Sequence, residues 1–192
     1  MAELAYAQRS ERCPERVRGS NPLRSTKTCT FFLISYIMGT NMEKLLEFLQ
    51  SQKLMVVACH SEKDVWVANT YIGVDEKGTI YFISPENTKH SRMILKNPNV
   101  AFSIAWFDPN NHKNRKAVQG LGICRPAENE EEIKTGIRLH NQNFQEFKET
   151  ITIKWVHNNK WGSKVWVVKP TYIKYWDDEI YGDNESEEFT LS

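Results

Sequence analysis

From residue 40 onward, the apolar positions change from the spacing of a helix to the dense runs of strands. A capping-box sequence at Thr40–Glu43, followed by regularly spaced Leu and Phe residues, predicts an amphipathic helix of about ten residues. The β-branched and aromatic runs 54–61 and 65–74 predict two strands, and the turn residues 75–78 lead into a third strand over 79–84. This part of the chain therefore predicts a β-rich body that begins with a helix.

After residue 84 the chain continues to alternate between helical and extended segments. The polar stretch 87–91 is typical of the start of a short helix, which Asn97 and Pro98 end. We interpret the acidic run Glu130–Glu132 as a helix start and not as a metal site, because carboxylates stabilise the positive end of a helix dipole. The remaining predicted elements are a strand over 100–107, a loop over 108–116, a strand over 117–126, a helix over 129–148 and two strand-like segments over 163–170 and 171–178.

These elements predict a mainly β protein with flanking helices, most simply a small antiparallel barrel. The first four strands are joined by connections too short for the crossovers of a parallel sheet. A chain of 192 residues, 40% of them hydrophobic, is enough for one compact domain with a proper core and hardly enough for two. We place this domain at residues 42–182, after an extension over 1–41 and before an acidic tail over 183–192.

The extension over residues 1–41 admits three interpretations. It carries six basic and three acidic residues without sustained periodicity before the apolar run 31–38, which is typical of disorder or of a targeting segment. No small-x-small cleavage site follows the apolar run, which argues against a signal peptide. The segment RVRGSNPLRST suggests a third interpretation, since the T-loop of a transfer RNA gene translates in frame as Gly-Ser-Asn-Pro. In that case residues 1–37 are read-through, and the protein starts at Met38 or Met42.

Charge and cysteine usage narrow the class of protein. With 25 basic and 24 acidic residues, the net charge of +1 creates no field that would favour nucleic acid or an acidic membrane surface. Cys13, Cys29, Cys59 and Cys124 lie far apart, so we expect free thiols in a reducing cytoplasm and no metal site. The longest apolar run is much shorter than the roughly 20 residues that a membrane-spanning helix needs.

Asn87, Thr88, Lys89, His90 and Ser91 crowd polar donors onto one helix start. An exposed helix start presents unpaired backbone N–H groups and a partial positive charge, which suit a phosphate group. The hydroxyls, the ammonium and the imidazole add donors that can converge on its oxygens. The same residues also suit an ordinary helix cap with a solvated lysine and histidine. This stretch alone leaves both interpretations open.

No other single feature defines a catalytic site. His60, His112, His140 and His157 share no motif, and a lone histidine is more often a surface or core residue than a ligand. The six tryptophans could stack nucleobases, but the chain has no basic stripe beside them. The chain also lacks the nucleophile-elbow, HExxH and P-loop motifs. Catalytic residues therefore stay unassigned at this level.

The order of these segments resembles the FMN-binding split barrels related to pyridoxamine 5'-phosphate oxidase. The resemblance covers residues 42–182, from the first helix to the closing VWVVKPTYIKYWDD. Its most specific element is the hydroxyl-basic-basic start of TKHSRMILKNPNV, which leads into a helix ended by Asn-Pro. The Val-Gln pair that opens AVQGLG is the next most specific. Each element alone is moderately specific for the family, and their order and spacing together are much stronger evidence.

The resemblance implies a six-stranded antiparallel split β-barrel that forms a homodimer, with FMN in clefts at the subunit interface. By position, the FMN phosphate would be held by Thr88, Lys89, His90 and Ser91. The flavin ring would be lined by backbone and side-chain groups of Val67, Ala68, Asn69 and Thr70, with Ser84 beside them. Gln119 resembles the family glutamine that reaches the flavin or its ribityl chain, and Trp176 resembles the aromatic residue that the partner subunit supplies.

Two departures from the family pattern bear on the substrate. His90 stands where pyridoxamine phosphate oxidases usually have a second permanent charge, and the acidic stretch WDDEIYGDNESEEF replaces the Arg-x-His pair that binds their vitamin substrate. We therefore expect a cytoplasmic flavin-dependent oxidoreductase of another substrate, with a Thr-Lys-His-Ser variant of the phosphate motif. The alternative is a non-catalytic module of the same fold that holds flavin, haem or deazaflavin.

Overall fold

The computed structural model describes residues 41–182 and 185–191. The interpretations of residues 1–40 lie outside this part of the chain. Helix α1 covers residues 41–51, and its buried side chains Leu45, Phe48 and Leu49 pack into the hydrophobic core. The apolar spacing after residue 40 therefore predicted both the helix and its buried side.

The described residues form seven antiparallel strands in one sheet. The strand bounds are β1 Leu54–His60, β2 Val65–Val74, β3 Ile80–Pro85, β4 Asn99–Asp108, β5 Asn111–Pro126, β6 Ser163–Asp177 and β7 Glu187–Thr190. Their order is β3-β2-β1-β4-β5-β6-β7, and a further pairing of β3 with β6 closes the first six strands into a barrel. The predicted mainly β class and the split barrel are confirmed, with one strand more than expected.

Three further helices pack around the barrel in the described part of the chain: α2 Lys89–Lys96, α3 Glu130–Asn143 and α4 Ile153–Asn158. Helix α3 covers the outer side of β3 and of the first half of β6, where Ile137 packs with Tyr81 and Val165 in a second hydrophobic cluster. The helix can approach closely at Gly136, because a Cβ there would lie 2.5 Å from Val165 Cγ1. One part of the sheet thus has its own apolar cover.

The polar loop predicted between β4 and β5 is a hairpin, and the loop prediction was wrong. Its turn consists of residues 109–110 alone. Two of the polar side chains that suggested a loop form ion pairs with residues much later in the chain. Arg115 Nε lies 2.9 Å from Asp178 Oδ2, and Lys116 Nζ lies 2.6 Å from Glu179 Oε2. Ion pairs between such distant positions leave no trace in local periodicity.

Helix α3 begins where the acidic run predicted and ends earlier than predicted. The Asn129 side chain accepts the backbone N–H of Glu132 at 2.9 Å, which caps the helix and confirms that Glu130–Glu132 is a helix start. The helix ends at Asn143 and not at 148, and a 3-10 turn, Gln145–Phe147, follows it. The polar composition after Asn143 did not distinguish an α-helix from that turn.

The two strand-like segments predicted around Pro170 are one continuous strand, β6. Pro170 lies where the register between β5 and β6 shifts, and such an irregularity tolerates a residue without an N–H. The predicted acidic tail contributes the seventh strand, β7, which pairs with Tyr172–Tyr175 of β6. The two glutamates of β7 made a strand look unfavourable in the sequence, but Phe189, which lies between polar residues, is buried.

Candidate functional site

The start of α2 brings four sequence-predicted residues into one hydrogen-bonded group, which we call the anchor cluster: Ser84, Thr88, His90 and Ser91. Thr88 is the N-cap of the helix, and its Oγ1 accepts the backbone N–H of Ser91 at 3.3 Å. His90 Nε2 lies 2.8 Å from Ser84 Oγ and 3.2 Å from Thr88 Oγ1. The sharp reversal from β3 into α2 assembles the cluster from neighbouring positions.

The members of the anchor cluster differ in accessibility. Ser91 is fully buried and Ser84 is 6% exposed, whereas Thr88 and His90 are half-buried. The Ser91 hydroxyl lies 2.8 Å from Thr88 Oγ1, and Ser84 contacts His90. The two serines therefore orient Thr88 and His90, which present the accessible polar atoms.

Burial shapes the chemistry of His90. Its ring lies 6.4 Å, centroid to centroid, from the buried ring of Phe82. Burial lowers the pKa of His90 below its ordinary value, because the charged imidazolium loses hydration. The neutral imidazole is therefore favoured at neutral pH, and it ties the end of β3 to the start of α2.

Lys89 extends toward the hairpin between β1 and β2. Its Nζ lies 4.5 Å from the centroid of the Trp66 ring and 3.9 Å from Asp64 Oδ2. The indole face attracts the ammonium, and the exposed carboxylate adds a weak ion pair. The sequence predicted the lysine as a phosphate ligand but missed both of these contacts, because they join α2 to a different hairpin.

The strand predicted to line the flavin has an open backbone edge. Along Val65–Tyr71, β2 pairs with β1. On its other edge, the ladder to β3 contains Ile72–Val74 alone among the described residues, since β3 diverges to pair with β6. Among residues 41–182 and 185–191, no strand pairs with the earlier part of β2 on that side. This opening is the split of the barrel.

The four predicted flavin-lining side chains divide between the two faces of β2. Val67 and Asn69 are exposed, as the alternation along a strand requires. Ala68 packs against the core, and Thr70 is buried with its Oγ1 at 3.5 Å from the Met55 carbonyl. A ligand at this strand can therefore contact two of the side chains, and Ala68 and Thr70 offer it backbone alone.

Gln119 and Trp176 lie on what we call the outer face, the exposed side of β2, β1, β4, β5 and the second half of β6. Gln119 is exposed on β5, and on β6 Lys174 Nζ lies 5.6 Å from the Trp176 ring centroid. The anchor cluster lies at the end of β3, where Ser84 pairs with Lys164 of β6. Trp176, and Lys174 that pairs with Gln119, lie at least ten residues further along β6. One chain thus does not bring Gln119 and Trp176 to the anchor cluster.

The outer face is apolar, and it contains a groove. Its exposed apolar side chains are Leu54, Val56, Val65, Val67, Tyr71, Phe107, Leu121, Ile123 and Trp176. A groove of about 620 Å³ runs between Ala58, Ala101 and Leu121, with His60 at its rim. His60 Nε2 lies 2.9 Å from Asn97 Nδ2. Sequence reasoning missed this groove, because its lining comes from several strands.

The described residues contain no group of three or more His, Cys, Asp or Glu side chains that could hold a metal ion. Cys59 and Cys124 are buried free thiols, and burial raises the pKa of Cys124 to about 12, which makes it unreactive. Within residues 41–182 and 185–191, no helix has the length and apolar character needed to cross a bilayer.

A six-stranded barrel that is open between β2 and β3, with a helix starting at the opening, defines the split-barrel class. The profile of the pyridoxamine 5'-phosphate oxidase family matches residues 42–177. The chain therefore belongs to the pyridoxamine 5'-phosphate oxidase family, as the sequence pattern predicted. Two UPF0306 proteins of Campylobacter jejuni are each 38% identical to it over 103 residues, which cover 53% of this chain and 71% of each relative.

Solved structures share the fold at low sequence identity. ChuZ of Campylobacter jejuni matches with a TM-score of 0.61 and 14% identity, over 87% of this chain and 69% of that one. A haem-binding protein of Mycobacterium smegmatis matches with a TM-score of 0.58 and 15% identity, over 73% of this chain and 53% of that one. The described chain thus spans about half the length of the mycobacterial protein.

Proposed function

We propose that the protein is an FMN-binding flavoprotein whose α2 start holds the FMN phosphate. The observation that carries the proposal is the position of the anchor cluster and Lys89 beside the open edge of β2. Lys89 touches Trp66 of that strand, and Ser84 ends β3 where β3 leaves β2. FMN requires such a combination, an anion site next to a flat slot with a few hydrogen-bonding groups.

The residues present fit a phosphate monoester. Lys89 supplies a full positive charge, and the accessible polar groups are the His90 ring and the Thr88 hydroxyl, whose proton would turn to the phosphate from the Pro85 carbonyl 3.1 Å away. Ser84 and Ser91 contribute by orienting those two side chains. The ring system would lie along Val67 and Asn69 and the edge of β2 that no strand of the described residues pairs. Near the β1–β2 hairpin, the groove on the outer face has a volume within the usual range for small-molecule sites.

The activity that this arrangement supports is that of a flavin-dependent oxidoreductase. A bound flavin supplies hydride and electron transfer, and the protein binds it, orients it and limits the access of water. This division of labour accounts for the lack of a recognisable acid–base pair in the sequence. Asp177, Asp178 and Glu179 are tied to β5 by ion pairs, and they do not suit the phosphate of vitamin B6. The substrate proposed is therefore of another class.

An absorption spectrum of the purified protein tests the proposal. We expect a yellow protein with the two visible bands of oxidised flavin, and bleaching by a reduced nicotinamide under anaerobic conditions. Bound flavin that no reductant bleaches would favour the non-catalytic module. A colourless protein that does not take up added FMN would contradict the proposal.

We also propose that the site is completed by a homodimer. Gln119 and Trp176 are remote from the anchor cluster in one chain, and the outer face that carries them is apolar and exposed. A second copy packed on this face would cover the apolar side chains and bring its own Gln119 and Trp176 toward the flavin. Light scattering combined with size-exclusion chromatography tests the proposal, and a monomer that binds FMN fully would contradict it.

A second candidate function is haem binding on the outer face. It is favoured by the apolar groove, by the exposed His60 at its rim, and by the fold shared with the haem-binding mycobacterial protein. In this alternative the imidazole of His60 would hold the haem iron, and to do so with Nε2 it would have to give up the N–H that this nitrogen accepts from the Asn97 amide. Titration with haemin decides between the two: a sharp Soret band that His60→Ala abolishes would support haem, and its absence would remove this candidate.

A cytoplasmic location completes the proposal. It is supported by Cys59 and Cys124, which are free thiols in the described part of the chain, as is usual in a reducing compartment. Fractionation of the native cells, with an antibody against the protein, tests the location.

A further inference from the structure

The tip of the β1–β2 hairpin holds a carboxylate next to the lysine of the proposed phosphate site. Two hydrogen bonds of Ser61 shape the tip: its N–H donates to the Asp64 carbonyl at 2.8 Å, and its Oγ accepts the Asp64 N–H at 3.1 Å. They fix the position of residue 64 immediately before β2. Asp64 Oδ2 consequently lies 3.9 Å from Lys89 Nζ, on the neighbouring helix.

Lys89 therefore has two partners of different kinds. Trp66 holds the ammonium over its ring at 4.5 Å without opposing its charge, whereas the carboxylate of Asp64 partly offsets that charge. An anionic ligand that binds Lys89 has to share this cation with a carboxylate that is already present. Both charged side chains are substantially exposed, so breaking the ion pair costs little free energy. A ligand can therefore replace Asp64 as the partner of Lys89 without unfolding the hairpin.

We propose that Asp64 sets the affinity of the phosphate site by competing with the ligand phosphate for Lys89. This inference rests on the proposed function. Asp64 acts through Lys89 and is therefore a positioning residue, and it distinguishes ligands by charge: it penalises a phosphorylated flavin and leaves an uncharged one unaffected. Trp66 keeps Lys89 beside the site when Asp64 is replaced.

The experiment is a titration of wild type and Asp64→Asn with FMN and with riboflavin, which lacks the phosphate. We expect Asp64→Asn to bind FMN about three- to tenfold more tightly, as suits an exposed charge pair about 4 Å apart. Riboflavin binding should not change. Glu62→Gln is the matched control, because Glu62 is exposed on the same hairpin and its change alters the net charge equally. It should leave FMN affinity within about twofold.

Further results test whether Asp64 acts through Lys89, and whether the inference can fail while the proposed function stands. In a Lys89→Met background, the gain from Asp64→Asn should disappear, and a gain that persists would overturn the competition for Lys89. Wild-type FMN binding with no gain in Asp64→Asn, or an equal gain for riboflavin, would overturn the inference and leave the flavin assignment standing. Failure of all variants to bind FMN, with native circular dichroism, would overturn the inference together with the proposed function.

Discussion

The anchor cluster and the outer face differ in whether their side chains find partners within the same chain. In the anchor cluster, hydroxyls and an imidazole hydrogen-bond one another within residues 84–91. On the outer face, Leu54, Val67 and Leu121 are apolar and are each more than half exposed. The first region is complete in one chain, while the second has the composition of an interface. Their difference separates what one chain does alone from what it does with a partner.

The largest effect is expected when a charge is placed on the outer face. Leu121→Glu would bury two unpaired carboxylates in a symmetric dimer, which should weaken association by more than about a hundredfold. Leu95→Glu on α2 is the matched control, since Leu95 is 48% exposed and Leu121 is 52% exposed. Analytical ultracentrifugation measures both. If the two variants associate equally well, the outer face is not the interface.

The next effect concerns the charge at the start of α2. Lys89→Ala should weaken FMN binding by about 1.5 to 3 kcal/mol, the value of a hydrogen bond to a charged group. Riboflavin affinity should stay unchanged, because it has no phosphate. Lys63→Ala, an exposed lysine on the adjacent hairpin, is the control. Fluorescence quenching of each flavin gives the dissociation constants, and unchanged FMN retention would remove Lys89 from the site.

A smaller effect should connect the two regions. Trp176→Ala should weaken FMN binding by about 0.5 to 1.5 kcal/mol, the value of an aromatic contact, and should do so in the dimer alone. Trp106→Ala is the control, because Trp106 and Trp176 are 39% and 40% exposed but Trp106 lies outside the outer face. Flavin titration at protein concentrations above and below dimer dissociation measures the effect. A monomeric Trp176→Ala protein that retains all its flavin would separate Trp176 from the site.

The smallest effect is a pH dependence of folding that the anchor cluster should show. Burial lowers the pKa of His90 in the folded state, so the unfolded chain binds more protons once the pH falls below about 6.5. The contribution of neutral His90 is fully present above that pH and is lost as the pH falls. Between about pH 7.5 and 5.5, urea unfolding should show a smaller loss of stability in His90→Gln than in wild type.

The control for this measurement is His157→Gln, a substitution of an exposed histidine at the end of α4. It should keep the wild-type pH dependence of the unfolding free energy. Equal slopes for wild type and His90→Gln would mean that His90 does not hold the end of β3 to α2 in its neutral form.

The features predicted well from the sequence depend on neighbouring positions. Thr88 caps α2 and contacts Ser91 three residues later, so its role follows from local spacing. The β-branched and aromatic runs likewise predicted the strands β1 and β2. The capped start of α3 is a third example. In each case the physical cause acts over less than two helical turns or along one strand.

The features that were missed depend on pairs far apart in the chain. Lys89 meets Asp64 and Trp66 through packing of α2 against a hairpin, and Arg115 of the β4–β5 hairpin forms an ion pair with Asp178, just after β6. No local pattern encodes such contacts, because each partner is an ordinary polar residue in its own segment. The family resemblance supplied the order of the elements, and it did not supply these partners.

The last strand has a practical consequence for anyone who shortens this protein. β7 lies beyond the residues 42–177 that the family profile matches, and it pairs with Tyr172–Tyr175 of β6. Along that side of β6, β3 reaches no further than Val168. A recombinant fragment cut at the profile boundary would expose an unprotected, tyrosine-rich strand and lose buried Phe189, and such strands recruit copies of themselves into aggregates. Residues up to 191 should therefore be kept in any version made for crystallisation.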